Sequence, residues 1–220
     1  MKKRLMIIMA VIMAFSMVAC GPFGAKDSGG NAGTEEAQLS GGWGEEKSPV
    51  VTEELKALFE KASQAEEADY IPVAYLRSQV VAGMNHEVLC QKIPKNSEGT
   101  GTYAIVILYE DVQGNASITD VFDSSAETFA SGLDGGWVVS EEDVLPKEAE
   151  DALDKAAKEG NKEYEGAILI GTQVVAGMNY MYLCKGSTED GNAALGYKIV
   201  QVYEDLDGKA TVTEEFGFTN

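Results

Sequence analysis

The chain is short of cations and histidine, and each shortage removes a class of function. It has 17 lysine and arginine residues against 36 aspartates and glutamates, which gives a net charge of −19. Nucleic acid and anionic lipid headgroups both favour a basic surface, so neither is an expected partner. The single histidine, His86, leaves no candidate for a catalytic triad, and no residues stand at metal-ligand spacing. We therefore predict that the protein is not an enzyme and needs no cofactor.

Long apolar runs are also missing, apart from Leu5 to Phe15 near the N-terminus. This run is too short to span a bilayer comfortably, follows three basic residues and ends at Ser16-Met17-Val18-Ala19-Cys20. The segment resembles a bacterial lipoprotein signal peptide, in which the cysteine is diacylated and becomes the new N-terminus. We predict a signal peptide over residues 1–19 and a lipid anchor at Cys20. The alternative is an ordinary secretory signal with an incidental cysteine.

A lipid anchor at Cys20 places the protein on the extracytoplasmic face of the cell membrane, at the cell surface. Loss of the signal peptide removes three cations and lowers the net charge from −19 to about −22. Residues 20–40 are rich in glycine, alanine and acidic residues and lack apolar periodicity, so they read as a flexible tether.

The sequence does contain an internal repeat. Residues 79–85 read Gln-Val-Val-Ala-Gly-Met-Asn, and residues 173–179, at an offset of 94, read the same. The same offset relates Gly-Gly-Trp at 41–43 to 135–137 and Cys90 to Cys184. A period this long suits two copies of one small domain. We predict a first domain at 41–123, a linker at 124–134 and a second domain at 135–220, each able to fold alone.

Each copy reads as a short strand, a helix and four further strands. The helices show apolar stripes at helical spacing, with Thr52 and Pro146 at their starts. The stripes are Leu55, Leu58, Phe59 and Ala62 in the first copy, and Ala149, Ala152, Leu153 and Ala156 in the second. Hairpins are predicted at Ala82-Gly83 and around Gly114, and at the equivalent positions of the second copy.

These elements predict an α+β fold, with an antiparallel sheet of four to five strands wrapped on one helix in each copy. As the alternative to two fully independent copies, the apolar run Ile105-Val106-Ile107-Leu108 indicates that the first copy buries its outer face on the second. Cys90 and Cys184 are expected to be buried thiols in separate cores, the alternative being a disulfide between the copies. Trp43 and Trp137 are expected to anchor the core, the alternative being a ligand-stacking role.

With a glycine pair, a helix and a Gln-Val-Val-Ala-Gly hairpin in this order, the sequence resembles the cystatin superfamily over residues 41–123 and 135–220. The signature of that family is a Gln-x-Val-x-Gly first hairpin, which residues 79–83 and 173–177 supply. The glycine that precedes its first strand matches Gly41-Gly42 and Gly135-Gly136. The resemblance implies two tandem cystatin-like domains and inhibition of papain-like cysteine proteases.

Inhibitors of this family block the protease cleft with an apolar wedge and offer no scissile bond. The resemblance assigns protease contacts to the glycine pairs, the first hairpins and the second hairpins. These residues are Gly41, Gly42, Gln79, Val80, Val81, Ala82, Gly83, Gln113, Gly114, Gly135, Gly136, Gln173, Val174, Val175, Ala176, Gly177, Asp207 and Gly208.

The second hairpins depart from the family pattern because Gln113-Gly114-Asn115 and Asp207-Gly208-Lys209 replace the usual Pro-Trp with polar tips. An interface tryptophan is commonly worth about 2 to 4 kcal/mol, so we expect affinities in the high nanomolar to micromolar range. The first copy is the better candidate, because Gly135-Gly136 follows a linker. We expect a monomer whose partner is a papain-like cysteine protease. The main alternative is a non-inhibitory cystatin-like surface module that binds or adheres to a protein or glycan partner. An enzyme or an assembly component is the remaining alternative.

Overall fold

The computed structural model describes residues 42–45, 48–97, 101–128, 136–185 and 196–219, all within one compact unit. Each half of the chain folds in the predicted order of a short strand, a helix and four strands. The elements are β1 (Trp43–Glu45), α1 (Glu53–Ser63), β2 (Ala68–Val81), β3 (Gly83–Pro94), β4 (Thr102–Glu110), β5 (Ala116–Glu127), β6 (Trp137–Val139), α2 (Lys147–Gly160), β7 (Glu165–Val175), β8 (Gly177–Lys185), β9 (Tyr197–Glu204) and β10 (Ala210–Thr219).

Both helices form where the sequence predicts them. The Thr52 hydroxyl accepts a hydrogen bond from the Leu55 amide at 3.3 Å, which satisfies one of the free donors at the start of α1. Helix α2 starts after Pro146 and ends at Gly160, and the next residue, Asn161, closes its last turn with a positive φ of 51°. The predicted stripes face inward: Leu58 is half-buried, and the other stripe residues of both helices are buried.

The ten strands form one antiparallel sheet in the order β1-β2-β3-β4-β5-β10-β9-β8-β7-β6. The two halves are joined because β5 continues to Glu127, beyond its predicted end near Phe122, and pairs with β10 at Ser124↔Phe218 and Asp123↔Thr219. The sheet curls into a half-barrel. The predicted α+β fold of two tandem cystatin-like domains, each with its own sheet, is therefore wrong.

Three hydrophobic clusters hold this sheet together. One lies between α1 and the first half of the sheet and contains Phe59, Val88 and Cys90. Its counterpart lies under α2 and contains Leu153, Tyr182 and Cys184. The third cluster is shared by the two halves, and its buried members are Ala74, Leu76, Leu89, Tyr103, Ile105, Ala126, Ile170, Met181, Leu183, Tyr197, Ile199 and Phe218.

The shared cluster is built largely from equivalent residues of the two copies. Leu76 and Ile170, Leu89 and Leu183, Tyr103 and Tyr197, and Ile105 and Ile199 are each 94 residues apart. Strand β4 therefore has both faces covered, with Ile105 in the shared cluster and Val106 under α1. Two covered faces require a continuous apolar run rather than alternation. The burial of one copy on the other that the run at 105–108 predicts is confirmed.

The cysteine prediction is confirmed as well. Cys90 and Cys184 are buried free thiols that lie in different clusters, one under each helix. Burial raises the pKa of the Cys184 thiol to about 12, and the pKa of Cys90 also lies well above its ordinary value because of burial.

Candidate functional site

The strand register brings the first copy's predicted contact segments to one end of the sheet. Trp43 of β1 pairs with Gln79, which pairs with Asn85 of β3. Asn85 in turn pairs with Tyr109 of β4, which pairs with Ser117 of β5. Strand β1, the β2–β3 tip and the β4–β5 turn therefore lie side by side, and we call this row the first end.

The second copy builds the same row, which we call the second end. Trp137 pairs with Gln173, Gln173 with Asn179, and Asn179 with Tyr203. Tyr203 pairs with Thr211 of β10. The two ends thus have the same strand order and the same register.

At each end the tip is held tightly against the neighbouring strand. Gly83 has a φ of +143°, and a Cβ at this position would lie 2.2 Å from the backbone oxygen of Glu110. The Tyr109 hydroxyl donates a hydrogen bond to the backbone oxygen of Ala82 at 2.7 Å. Because the backbones of β3 and β4 approach this closely, glycine is required for the conformation and for the space.

The second tip has matching geometry. Gly177 has a φ of +129°, and a Cβ there would lie 2.3 Å from the oxygen of Glu204. The Tyr203 hydroxyl donates to the oxygen of Ala176 at 2.6 Å. The two arms of this hairpin are linked by a hydrogen bond from Asn179 Nδ2 to Gln173 Oε1 at 2.7 Å.

Gln79 bonds across the hairpin of the first copy in the same way, where its Oε1 accepts from Asn85 Nδ2 at 2.8 Å. Glutamine, glycine and asparagine in the repeated heptapeptide therefore stabilise the hairpin itself. The side chains of the valines and the alanine make no such bond. Ala82, Ala176, Val81 and Val175 are exposed, Val174 is 68% exposed, and Val80 is half-buried.

The β4–β5 turn is shaped by Asp111, whose Oδ1 accepts hydrogen bonds at 2.8 Å from the amides of Gln113 and Asn115. The bonds from Asn115 hold the pKa of Asp111 below its ordinary value. In the β9–β10 turn, Asp205 Oδ1 accepts at 2.9 Å from the amides of Asp207 and Lys209. Both turns are therefore fixed without help from a partner.

These turns present one large apolar side chain each, which the sequence analysis missed. Val112 is 78% exposed and the equivalent Leu206 is 84% exposed. The predicted contacts Gln113 and Asp207 are exposed beside them, and Gly114 and Gly208 are half-buried. The sequence signal for them is an apolar residue at the same place in two otherwise polar turns.

Trp43 lies in the first end and Trp137 in the second end, and each ring packs against other residues of the protein. The guanidinium of Arg77 stacks on the Trp43 ring, 4.8 Å from its centroid. Arg77 also makes an ion pair with the buried carboxylate of Glu87. Trp137 packs against the shared cluster. The packing of Trp137 confirms the predicted core role at that position, and Trp43 is engaged by Arg77.

The glycine pairs are described in part. Gly42 is exposed and Gly136 is half-buried, whereas Gly41, Gly135 and the predicted lipidation position Cys20 lie outside the described residues. Among the residues that the structure covers, none of the helices is long and apolar enough to cross a membrane. The same part of the chain holds no group of three or more histidine, cysteine or acidic side chains placed to bind a metal ion.

No protein-family model matches the chain, and no curated protein matches it.

Proposed function

We propose that this protein is a surface-anchored inhibitor of papain-like cysteine proteases, which blocks the protease cleft with the tips of its Gln-Val-Val-Ala-Gly hairpins. One observation carries the proposal. Each of these hairpins is held by a tyrosine hydrogen bond to its tip and presents small or apolar side chains to solvent, beside a second turn with an exposed Val112 or Leu206. The resemblance to the cystatin superfamily gives the same segments the same role.

The proposed mechanism is steric and requires no chemistry from the inhibitor. The Tyr109 and Tyr203 hydroxyls brace the tips, so little conformational freedom is lost on binding. Ala82 and Ala176 are small enough to let the hairpin backbone approach a cleft wall. Full burial of a valine side chain contributes about 1.5 to 3 kcal/mol, so the exposed valines supply most of the affinity.

The turn residues Val112 and Leu206 take the place of the tryptophan that the family usually provides. An aliphatic side chain buries less area than an indole, so the inhibitor is weaker than one with the full motif. We expect dissociation constants from the high nanomolar to the micromolar range. Attachment through a diacylated Cys20 supplies two acyl chains, enough for stable anchoring at the membrane surface.

Titration of papain with the soluble fragment 38–220 tests the proposal. We expect dose-dependent loss of papain activity, and expect the double variant Ala82→Arg/Ala176→Arg to lose inhibition while retaining its melting temperature. Both alanines are exposed, so the free protein tolerates arginine within about 0.5 kcal/mol. In the complex each arginine adds bulk and an unpaired charge to a buried contact.

The matched control is Ala57→Arg, the same change at an exposed alanine in the middle of α1. This variant should inhibit like the wild type. Full papain activity at tens of micromolar of the wild-type fragment would contradict the inhibitor proposal and favour a non-inhibitory binding module. Inhibition by the double variant equal to that of the wild type would show that the tips are not the binding surface.

A further inference from the structure

We infer that one molecule binds two copies of the same protease at once, one at the first end and one at the second end. This inference rests on the proposed function and adds the number of partners and their directions of approach. It comes from the way in which β5 and β10 join the halves of the sheet.

The pairing of β5 with β10 relates the two ends by an approximate twofold axis. Ser124 and Phe218 are equivalent residues of the two copies, and they pair with each other in antiparallel strands. An antiparallel pair between equivalent residues has the geometry of an isologous contact, in which each partner uses the same surface. The axis therefore passes through this pair and exchanges the first end with the second.

The strand directions show that the ends point away from each other. Strand β5 starts at Ala116, next to the first end, and runs away from it toward Ser124. Strand β10 starts at Ala210, next to the second end, and runs in the opposite direction toward Phe218. Each end is separated from the axis by roughly eight residues of strand, or about 26 Å at about 3.3 Å per residue.

This separation leaves room for two proteases. Measured along the strands, the ends lie at most about 50 Å apart, because the sheet curls between them. A compact protease of about 200 residues has a radius of gyration of roughly 16 Å and is about 43 Å across. Two such molecules that approach from opposite directions do not overlap. Occupation of one end therefore leaves the other accessible.

The two ends also expose the same residues in the same geometry, so we expect both to bind the same kind of partner. The heptapeptide is identical in the two copies. The brace from tyrosine to the alanine oxygen and the glutamine–asparagine bond recur with distances within 0.1 Å of each other. The second end exposes its valines at least as fully, with Val174 at 68% and Val175 exposed like Val81.

The stoichiometry of the complex tests the inference. Papain with its active-site thiol blocked by a small methylthio group is added in excess to fragment 38–220, and the mass of the complex is measured by light scattering after size-exclusion chromatography. We expect two papain molecules per wild-type chain. Ala82→Arg and Ala176→Arg should each reduce this number to one, the double variant to zero, and Ala57→Arg should leave two.

The outcomes separate the inference from the proposal beneath it. A wild-type complex that saturates at one papain overturns the two-site inference, while inhibition through one end still stands. Two papain molecules on the wild type but an unchanged number on either single variant also overturns it, because the ends would then not be the sites. Absence of any complex, together with full protease activity, overturns the proposed function itself.

Discussion

Phe218 forms a strand pair with Ser124, the residue that occupies the same position in the first copy of the repeat. In a symmetric dimer, the two subunits also meet through pairs of equivalent residues. The shared cluster has the same symmetry, because most of its large side chains form equivalent pairs such as Leu89 and Leu183. Each half therefore carries a surface that complements a copy of itself.

The first prediction concerns the isolated second half, residues 136–220. Alone, this fragment would expose Met181, Leu183 and Ile199, which the intact protein buries in the shared cluster. We expect it to form a homodimer through β10 rather than the independently folded monomer that the repeat suggested. Sedimentation equilibrium over a range of concentrations measures the mass.

The first half, residues 42–133, is a matched comparison because Glu87 occupies the position of Met181. Its homodimer would bring two buried carboxylates toward one cluster, so it should dissociate at a higher concentration than the second-half dimer. A second-half fragment that remains monomeric and melts cooperatively would contradict the expectation.

The second prediction concerns the Arg77–Glu87 pair. Glu87 is fully buried, and one of its carboxylate oxygens has no hydrogen-bond partner among the described residues. Arg77→Ala should lower the free energy of unfolding by about 3 to 5 kcal/mol, because a buried charge loses its partner. Arg77→Ala/Glu87→Met, which introduces the residue of the second copy, should recover most of that loss. Urea unfolding of the wild type, both single variants and the double variant completes the cycle, and additive losses would show that the two residues do not interact.

The third prediction is a pH dependence that Glu87 introduces. Burial raises the pKa of Glu87 above 4.5, and the bond from Arg77 offsets part of this increase. The folded state therefore binds this proton more tightly than the unfolded state. The resulting stabilisation is present below pH 4.5 and is lost as the pH rises through the folded pKa.

Glu87→Gln has no such proton to lose. The melting temperature of the variant minus that of the wild type should therefore increase as the pH rises from about 4 to about 8. Thermal melts across this interval measure the difference. Glu60→Gln, at an exposed position on α1, is the control and should show a far smaller change. A Glu87→Gln difference that stays constant with pH would show that burial does not perturb the carboxyl.

The fourth prediction concerns the thiols of fragment 38–220. Cys90 and Cys184 are both buried, and burial raises the pKa of each thiol. The thiolate is the reactive species, so neither should react with Ellman's reagent in the native protein at about pH 8. Both should react in denaturant. The Cys90→Ser variant assigns any residual reactivity, and rapid stoichiometric labelling of the native wild type would contradict the burial of these residues.

The sequence predicts the local structure well because each signal is local. The apolar stripe of Leu55, Phe59 and Ala62 specifies one face of a helix, and glycine at 83 specifies a tip that a side chain would obstruct. The run at 105–108 also shows that β4 has two covered faces. An apolar run of this kind does not indicate which part of the protein covers the second face of β4.

The arrangement of the two halves depends on information that the pattern does not carry. The pairing of Ser124 with Phe218 is made by backbone atoms, and the segment around Ser124 resembles a polar linker in composition. The candidate site shows the same limit. Gln79 and Gly83 were found through the repeat, whereas Val112 became a candidate when its exposure beside the tip was known.

The direction of β1 distinguishes the two ends once the protein is attached to a surface. From Glu45 back to Trp43, the strand runs from Arg77 toward Gln79, so the chain that precedes Gly42 joins the fold at the first end. In a molecule anchored through Cys20, the tether attaches at the first end, so the first end would stay nearer the lipid on average and the second end nearer the medium. Two sites with equal intrinsic affinity would then differ in access, and the outward-facing one would capture a soluble protease first.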